Sequence, residues 1–97
     1  MYGTVARMRL KPGAAQRFVD DLAEYPNLKI PGFVSMMVYR SDRDPDEYFV
    51  VVAFADKESY DANSRDPEQD KRYERVRHLR AADPEWHDGE IIQSEMA

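Results

Sequence analysis

Phe33-Val34-Ser35-Met36-Met37-Val38-Tyr39-Arg40 and Tyr48-Phe49-Val50-Val51-Val52-Ala53-Phe54 are two short runs rich in β-branched, aromatic and methionine residues. Pro31-Gly32 precedes the first, and the polar stretch Asp42-Arg43-Asp44-Pro45-Asp46, full of turn chemistry, separates the two. Strands joined by so short a connection pair as an antiparallel hairpin. The second run is apolar on both faces, which marks a strand with packing on each side. Helices can supply one cover; the other has to come from elsewhere.

Outward from the hairpin the pattern alternates between strand and helix. From Tyr2 to Leu10 the even positions Thr4, Ala6, Met8 and Leu10 are mostly apolar and the odd ones turn polar at Arg7 and Arg9, which is the period of a strand with one dry face. Lys11-Pro12-Gly13 breaks it. Ala14, Phe18, Leu22 and Tyr25 then recur at helical spacing, predicting an amphipathic helix that closes near Pro26-Asn27. Beyond the hairpin, Asp56 is placed to cap a short helix through Tyr60 and Asn63. Asp66-Pro67-Glu68-Gln69 is a second start signal, with Asp as cap, Pro in the first turn and Gln69 positioned for a capping box. The second of these helices is expected to present Tyr73, Val76, Leu79 and Ala82 inward and to stop before Asp83-Pro84. Asp83 to Gly89 is predicted as a compact turn, and Glu90 to Ser94, with Ile91 and Ile92, as a short last strand.

The order is β-α-β-β-α-β with its second helix in two pieces. That defines an α+β, ferredoxin-like fold: a four-stranded antiparallel sheet with its helices on one face, built as a single domain over residues 1–97. The helix-free face would still carry apolar side chains from the central strands, more than a monomer tolerates, and a second copy of the chain is the expected cover.

Composition narrows the function classes. With 14 Lys and Arg against 19 Asp and Glu the net charge is -5, and acids interrupt the basic residues, so nucleic acid is not an expected partner. The most basic stretch, Arg72 to Arg80, contains Glu74 and is read as a solvated helix face. There is no cysteine, hence no disulfide framework and no thiolate chemistry. No apolar leader or spanning segment opens the chain, and the expectation is a cytoplasmic protein without a membrane partner. His78 and His87, the only histidines, form no ligand pair, and no metal site is expected.

The element order, together with Pro31-Gly32-Phe33, Phe54-Ala55-Asp56-Lys57-Glu58-Ser59-Tyr60 and Pro84-Glu85-Trp86-His87-Asp88-Gly89-Glu90, resembles the antibiotic biosynthesis monooxygenase superfamily over nearly the whole chain. The resemblance implies a dimeric α/β barrel with a pocket between sheet and helices. It further implies one of several chemistries: cofactor-free oxidation of hydroquinones or anthrones with dioxygen, or degradation of haem. The haem-degrading members use an Asn on the first strand, and a Trp and a His on the second helix. Here the matching positions are Ala6, a residue near Asn63, and one between Tyr73 and Arg75; none is of the required type.

Trp86 and His87 are the sharpest candidates for a catalytic site, since a planar substrate could stack on the indole while the imidazole accepts a phenolic proton. Trp86 could equally cover the end of the core while His87 caps a surface turn. Proton transfer from a phenol to an imidazole is uphill by about 3.5 pKa units, roughly 5 kcal/mol, so a cation must assist. Arg7 and Arg9 are the candidates on the first strand, with ion pairing as their plainer role. Tyr60, Asn63 and Tyr73 face the space between helix and sheet and could bind substrate or simply pack the core. Met8 adapts to flat ligands or fills the core. The resulting expectation is a cofactor-independent monooxygenase, working as a homodimer on a small hydroquinone- or anthrone-like aromatic. The alternatives are a non-catalytic dimeric binding module for a small planar ligand or haem, and a purely structural subunit.

Overall fold

The computed structural model describes residues 1–97. Its elements run β1 (Tyr2–Arg9), α1 (Ala15–Leu22), a 3-10 turn (Tyr25–Leu28), β2 (Phe33–Arg40), β3 (Glu47–Phe54), α2 (Lys57–Arg65), α3 (Pro67–Arg77) and β4 (Glu85–Glu90). The strands form one antiparallel sheet in the order β2-β3-β1-β4. This is the ferredoxin-like α+β arrangement the element order predicts.

The register places β1 at the centre of the argument. Thr4 lies opposite Val52 and Asp88, Ala6 opposite Val50 and Trp86, and Met8 opposite Tyr48. Because directly opposed residues share a face, these side chains form the layer on which the helices pack. Ala6, Met8, Leu10, Phe18, Tyr48, Val50 and Leu79 make one buried cluster there. The other face receives Val5, opposite Val51 and His87, and Arg7, opposite Phe49 and Glu85. No helix covers that second face, and Met37 and Tyr39 on β2 are 65% and 48% exposed.

Local chemistry accounts for the helix starts. The Asp56 carboxylate accepts the Ser59 backbone N–H at 2.8 Å, and that hydrogen bond holds its pKa below the ordinary value. Asp66 accepts from the Glu68 N–H at 2.9 Å with Pro67 in the first turn. Gln69 does not close a capping box. Its side-chain oxygen instead receives the Tyr25 hydroxyl at 2.7 Å and Arg72 Nε at 3.0 Å, tying the 3-10 turn to α3. The first helix is likewise shorter than its spacing predicts: α1 ends at Leu22, and Pro26 sits in the separate 3-10 turn.

Two segments differ from expectation at the C-terminal end. The helix α3 stops at Arg77 instead of running to Ala82: His78 and Leu79 form a turn, closed by the Leu79 N–H to Val76 O and the Arg80 N–H to Arg77 O, and Arg80 then pairs beside the end of β1. Lys11 N–H donates to Leu79 O and Ala81 N–H to Arg9 O, each at 2.8 Å, and Leu10 bridges Arg80. Ala82 is accordingly exposed, and His78 is the exposed residue just past the helix end. The last strand is Glu85–Glu90, all but its final residue inside the span predicted as a turn, and Ile92, expected in a strand, is 90% exposed. β1 begins at Tyr2, opposite Glu90, and the Ile91 N–H takes the last acceptor, Met1 O, at 2.8 Å. Residues further along have no strand left to pair with.

Gly3 permits the close approach of β1 to β3: a Cβ there would lie 1.9 Å from the Val52 carbonyl oxygen. Gly89, its partner across the β1–β4 ladder, would meet nothing within 4 Å. Gly3→Ala is therefore expected to destabilise the fold by about 1–3 kcal/mol, whereas Gly89→Ala should stay within about 0.5 kcal/mol. Urea denaturation of the two variants checks this; equal effects would contradict the register.

Candidate functional site

A cavity of about 410 Å³ lies between the helix-facing side of the sheet and the helices. Its floor is Thr4 and Met8 of β1 and Val50 and Val52 of β3. Leu22 of α1 and Val76 of α3 close it from above, and Tyr60 and Asn63 of α2 flank it. Trp86 and Asp88 of β4 form one side wall, and Tyr73 and Arg80 stand against them. Period-two alternation is what delivers β4's contribution: Trp86 and Asp88, two residues apart, both turn inward.

Aromatic rings set the shape. The Tyr73 and Trp86 rings are tilted by 35° with centroids 6.2 Å apart, and Tyr60 packs edge-on against Tyr2 at 5.2 Å and Phe54 at 5.6 Å. The Tyr60 hydroxyl donates to Asp88 Oδ1 at 2.9 Å. Burial, and then the hydrogen bond to Asp88, push the Tyr60 pKa up to about 12, with neighbouring Thr4 working in the opposite direction. The phenol therefore stays neutral at physiological pH and acts as a donor that fixes the Asp88 carboxylate.

Three buried side-chain polar atoms in the protein lack a hydrogen-bond partner: Thr4 Oγ1, Asn63 Oδ1 and Arg80 Nε. All three residues line this one cavity. A buried polar group left unpaired costs about 1–3 kcal/mol, so the cavity carries three groups free to pair with water or with a ligand.

Five of the six residues proposed from sequence lie around the cavity: Met8, Tyr60, Asn63, Tyr73 and Trp86. His87 does not. It stands in a strand instead of a turn, opposite Val5 on the helix-free face, where its Nε2 lies 2.8 Å from Glu85 Oε1. Neighbours on a strand point to opposite sides, so Trp86 and His87 of one chain cannot serve one substrate in the cavity. Arg7 and Arg9 share that outer face. Arg7 pairs with Glu47 at 2.6 Å and Glu85 at 3.5 Å, and Arg9 with Asp44 at 2.6 Å. The Arg7 hydrogen bond holds Glu47 below the usual carboxylate range, and Asp44 is lowered first by the Asp46 backbone N–H and then by Arg9.

Two cavity residues escaped the sequence reading. Asp88 could have been found from Trp86 had the segment been taken as a strand. Arg80 had been counted with the solvated basic face, yet only 8% of it is exposed; it leaves the helix in a turn and bridges Leu10 at the end of β1. No three His, Cys, Asp or Glu side chains converge as metal ligands would, and no helix is long and apolar enough to cross a membrane.

The fold defines an α+β, ferredoxin-like protein with an open cavity between its sheet and its helices. The chain belongs to the antibiotic biosynthesis monooxygenase family, whose profile matches residues 1–75. The match ends before Arg80, Trp86 and Asp88, so one wall of the cavity is described by structure alone. A protein from Chloroflexus aurantiacus, provisionally described as an antibiotic biosynthesis monooxygenase, is 27% identical. The likeness covers 98% of this chain and 96% of that one, with a TM-score of 0.80. SnoaB, a cofactor-independent oxygenase from Streptomyces nogalater solved as its N63A mutant, is 18% identical over 96% of this chain and 94% of its own, with a TM-score of 0.79. At that identity the likeness establishes the fold. No curated protein matches the sequence.

A raised tyrosine pKa has a definite sign in stability. The folded state holds the Tyr60 proton more tightly than the unfolded chain, whose phenol titrates at 10.0. The stabilisation is complete below that pH and is lost as pH rises toward about 12. Thermal unfolding followed across this window should show a decline that Tyr60→Phe reduces; an identical decline in the variant would contradict the placement of Tyr60.

Proposed function

We propose that the protein is a cofactor-independent monooxygenase that oxidises a small hydroquinone- or anthrone-like aromatic with dioxygen in the cavity between sheet and helices. The observation that carries this reading is the convergence of Trp86, Tyr73 and the three unpartnered polar groups on one cavity. Its volume lies within the range for small-molecule sites. Family membership supplies the reaction class. For an anthrone the balance is a ring CH2 plus O2 giving C=O plus H2O: one oxygen atom enters the product, the other leaves as water with both hydrogens, and the substrate supplies all four electrons.

The residues have distinct roles in this reading. Trp86 and Tyr73 hold the planar ring. Asp88, fixed by the Tyr60 hydroxyl, accepts a hydrogen bond from a phenolic O–H of the substrate, which raises electron density on the ring that reacts with dioxygen. A carboxylate is a weaker base than a phenolate, so it polarises this bond without removing the proton in the resting complex. Asn63 presents its free Oδ1 toward the same space.

The reaction is tested by oxygen uptake against a panel of hydroquinones and anthrones, with isotopic oxygen traced into the product. Asp88→Asn is expected to lower the rate by about a hundredfold, and His87→Ala to leave it unchanged. Loss of activity in His87→Ala with Asp88→Asn unaffected would move the site to the other face of the sheet. Binding of these compounds without any uptake would favour a non-catalytic binding module.

The working unit in this reading is a homodimer, formed where the helix-free faces of two copies meet. Only 11 of 97 residues are buried in the single chain, so the uncovered Met37, Tyr39 and Val5 represent burial a second copy can supply. Light scattering at micromolar concentration should give twice the chain mass, and Val5→Arg, which places a charge in the middle of that face, should halve it. A monodisperse monomer of the unaltered protein would overturn the dimer.

A further inference from the structure

We propose that the aromatic bound in the cavity carries a carboxylate, and that Arg80 is the residue that binds it. This rests on the reading of the cavity as an aromatic site and specifies the substrate class within it.

Arg80 stands apart from the other basic residues of its segment. Arg75 and Arg77 are exposed, Arg77 pairs with Glu74, and Arg72, half-buried on the same cavity, has its Nε bonded to Gln69 Oε1. Arg80 is more than nine-tenths buried and makes no ion pair with any carboxylate of the chain. Its protein partners are one aromatic side chain: Nη1 donates to the Tyr73 hydroxyl at 2.5 Å and the guanidinium lies 4.4 Å from the centre of the same ring, while Nε has no partner. A guanidinium cannot shed its charge at any accessible pH. Arginine is almost never buried without a counter-ion, because desolvating it unpaired is strongly unfavourable. The backbone nevertheless holds it there, through the Leu10 bridge and the flanking hydrogen bonds of Leu79 and Ala81. A fixed, buried, unneutralised cation on the wall of a ligand cavity calls for an anion, and the planar fork of a guanidinium matches a carboxylate.

The layout of the cavity orients such a ligand. Asp88 is opposite Thr4 and Arg80 opposite Leu10, six residues further along β1, so the negative and positive groups enter from opposite ends with Trp86 between them. A hydroxyl directed to Asp88 and a carboxylate directed to Arg80 satisfy both ends, and the reverse orientation would set carboxylate against carboxylate. The Tyr73 ring, which Arg80 covers, is the one tilted against Trp86, so a ring stacked on the indole brings its substituent to the guanidinium. Asp21, Glu24 and Asp70 also border the cavity and, like Asp88, are exposed; none of the four pairs with Arg80.

Calorimetry with two unreactive analogues tests this directly: 6-hydroxy-2-naphthoate, which has both groups at opposite ends of the ring system, and 2-naphthol, which lacks the acid. The unaltered protein is expected to bind the acid about tenfold or more tightly than the phenol, the usual gain from a charged hydrogen-bonded pair. Arg80→Gln and Arg80→Met should erase that preference without weakening 2-naphthol, and Arg80→Lys should retain part of it. The comparison in the unaltered protein stands even if a variant fails to fold. Equal binding of the two analogues would overturn the carboxylate assignment and leave the aromatic cavity intact; binding of neither would overturn both readings. Equal binding combined with a kcat loss for Arg80→Gln on an uncharged hydroquinone would also overturn it, since Arg80 would then serve an anion formed during the reaction.

Discussion

Everything functional in this protein depends on the register of β1 between its two neighbours. Ala6 pairs with Val50 on one side and Trp86 on the other, and the two-residue repeat then decides every other position. A slip of one residue would exchange the faces of a whole strand, turning Trp86 and Asp88 out to solvent and His87 in. The core resists such a slip: Ala6 is fully buried and Met8 and Leu10 nearly so, and exposing that layer would forfeit most of the contact with α1. The chemistry available on each face follows from this packing constraint.

The two faces are accordingly different surfaces. The outer one is a field of apolar side chains crossed by Glu47, Arg7, Glu85 and His87 in contact with one another, an arrangement suited to a second protein surface. The inner one holds a cavity with three buried polar atoms that lack partners, in a chain whose other buried side-chain polar atoms find theirs. Unsatisfied groups oppose folding, and a chain of this size has little stability to spare. Their placement in one spot is coherent as preparation for a ligand, because a ligand that pairs with them returns the lost stability as affinity.

Much of this was legible from the sequence, for identifiable reasons. Strong alternation in Thr4, Ala6, Met8 and Leu10, the polar turn at Asp42 to Asp46, and the two Asp caps each state a local preference that tertiary packing did not override. Met8, Tyr60, Asn63 and Tyr73 fell on the cavity because the inward faces of their elements were correctly assigned, whereas Trp86 lies there although its segment was read as a turn. The end of the chain misled. β4 is an edge strand of charged residues with a glycine, showing no apolar alternation, whereas Ile91-Ile92 has strand composition but no partner. Arg80 was hidden by a helical reading carried past Arg77: backbone bonds to Arg9 and Lys11, made by residues distant in sequence, terminate that helix, and no local signal reports them.

The central claim is that the inner cavity, with Trp86 on its wall, is where a planar aromatic binds. Trp86 is the only tryptophan in the chain and lines that cavity, so its emission is the chain's one indole signal from it. Titration with an unreactive hydroxyanthraquinone should quench it saturably at one ligand per chain. Emission that stays constant, or that falls linearly without saturating, would contradict the account.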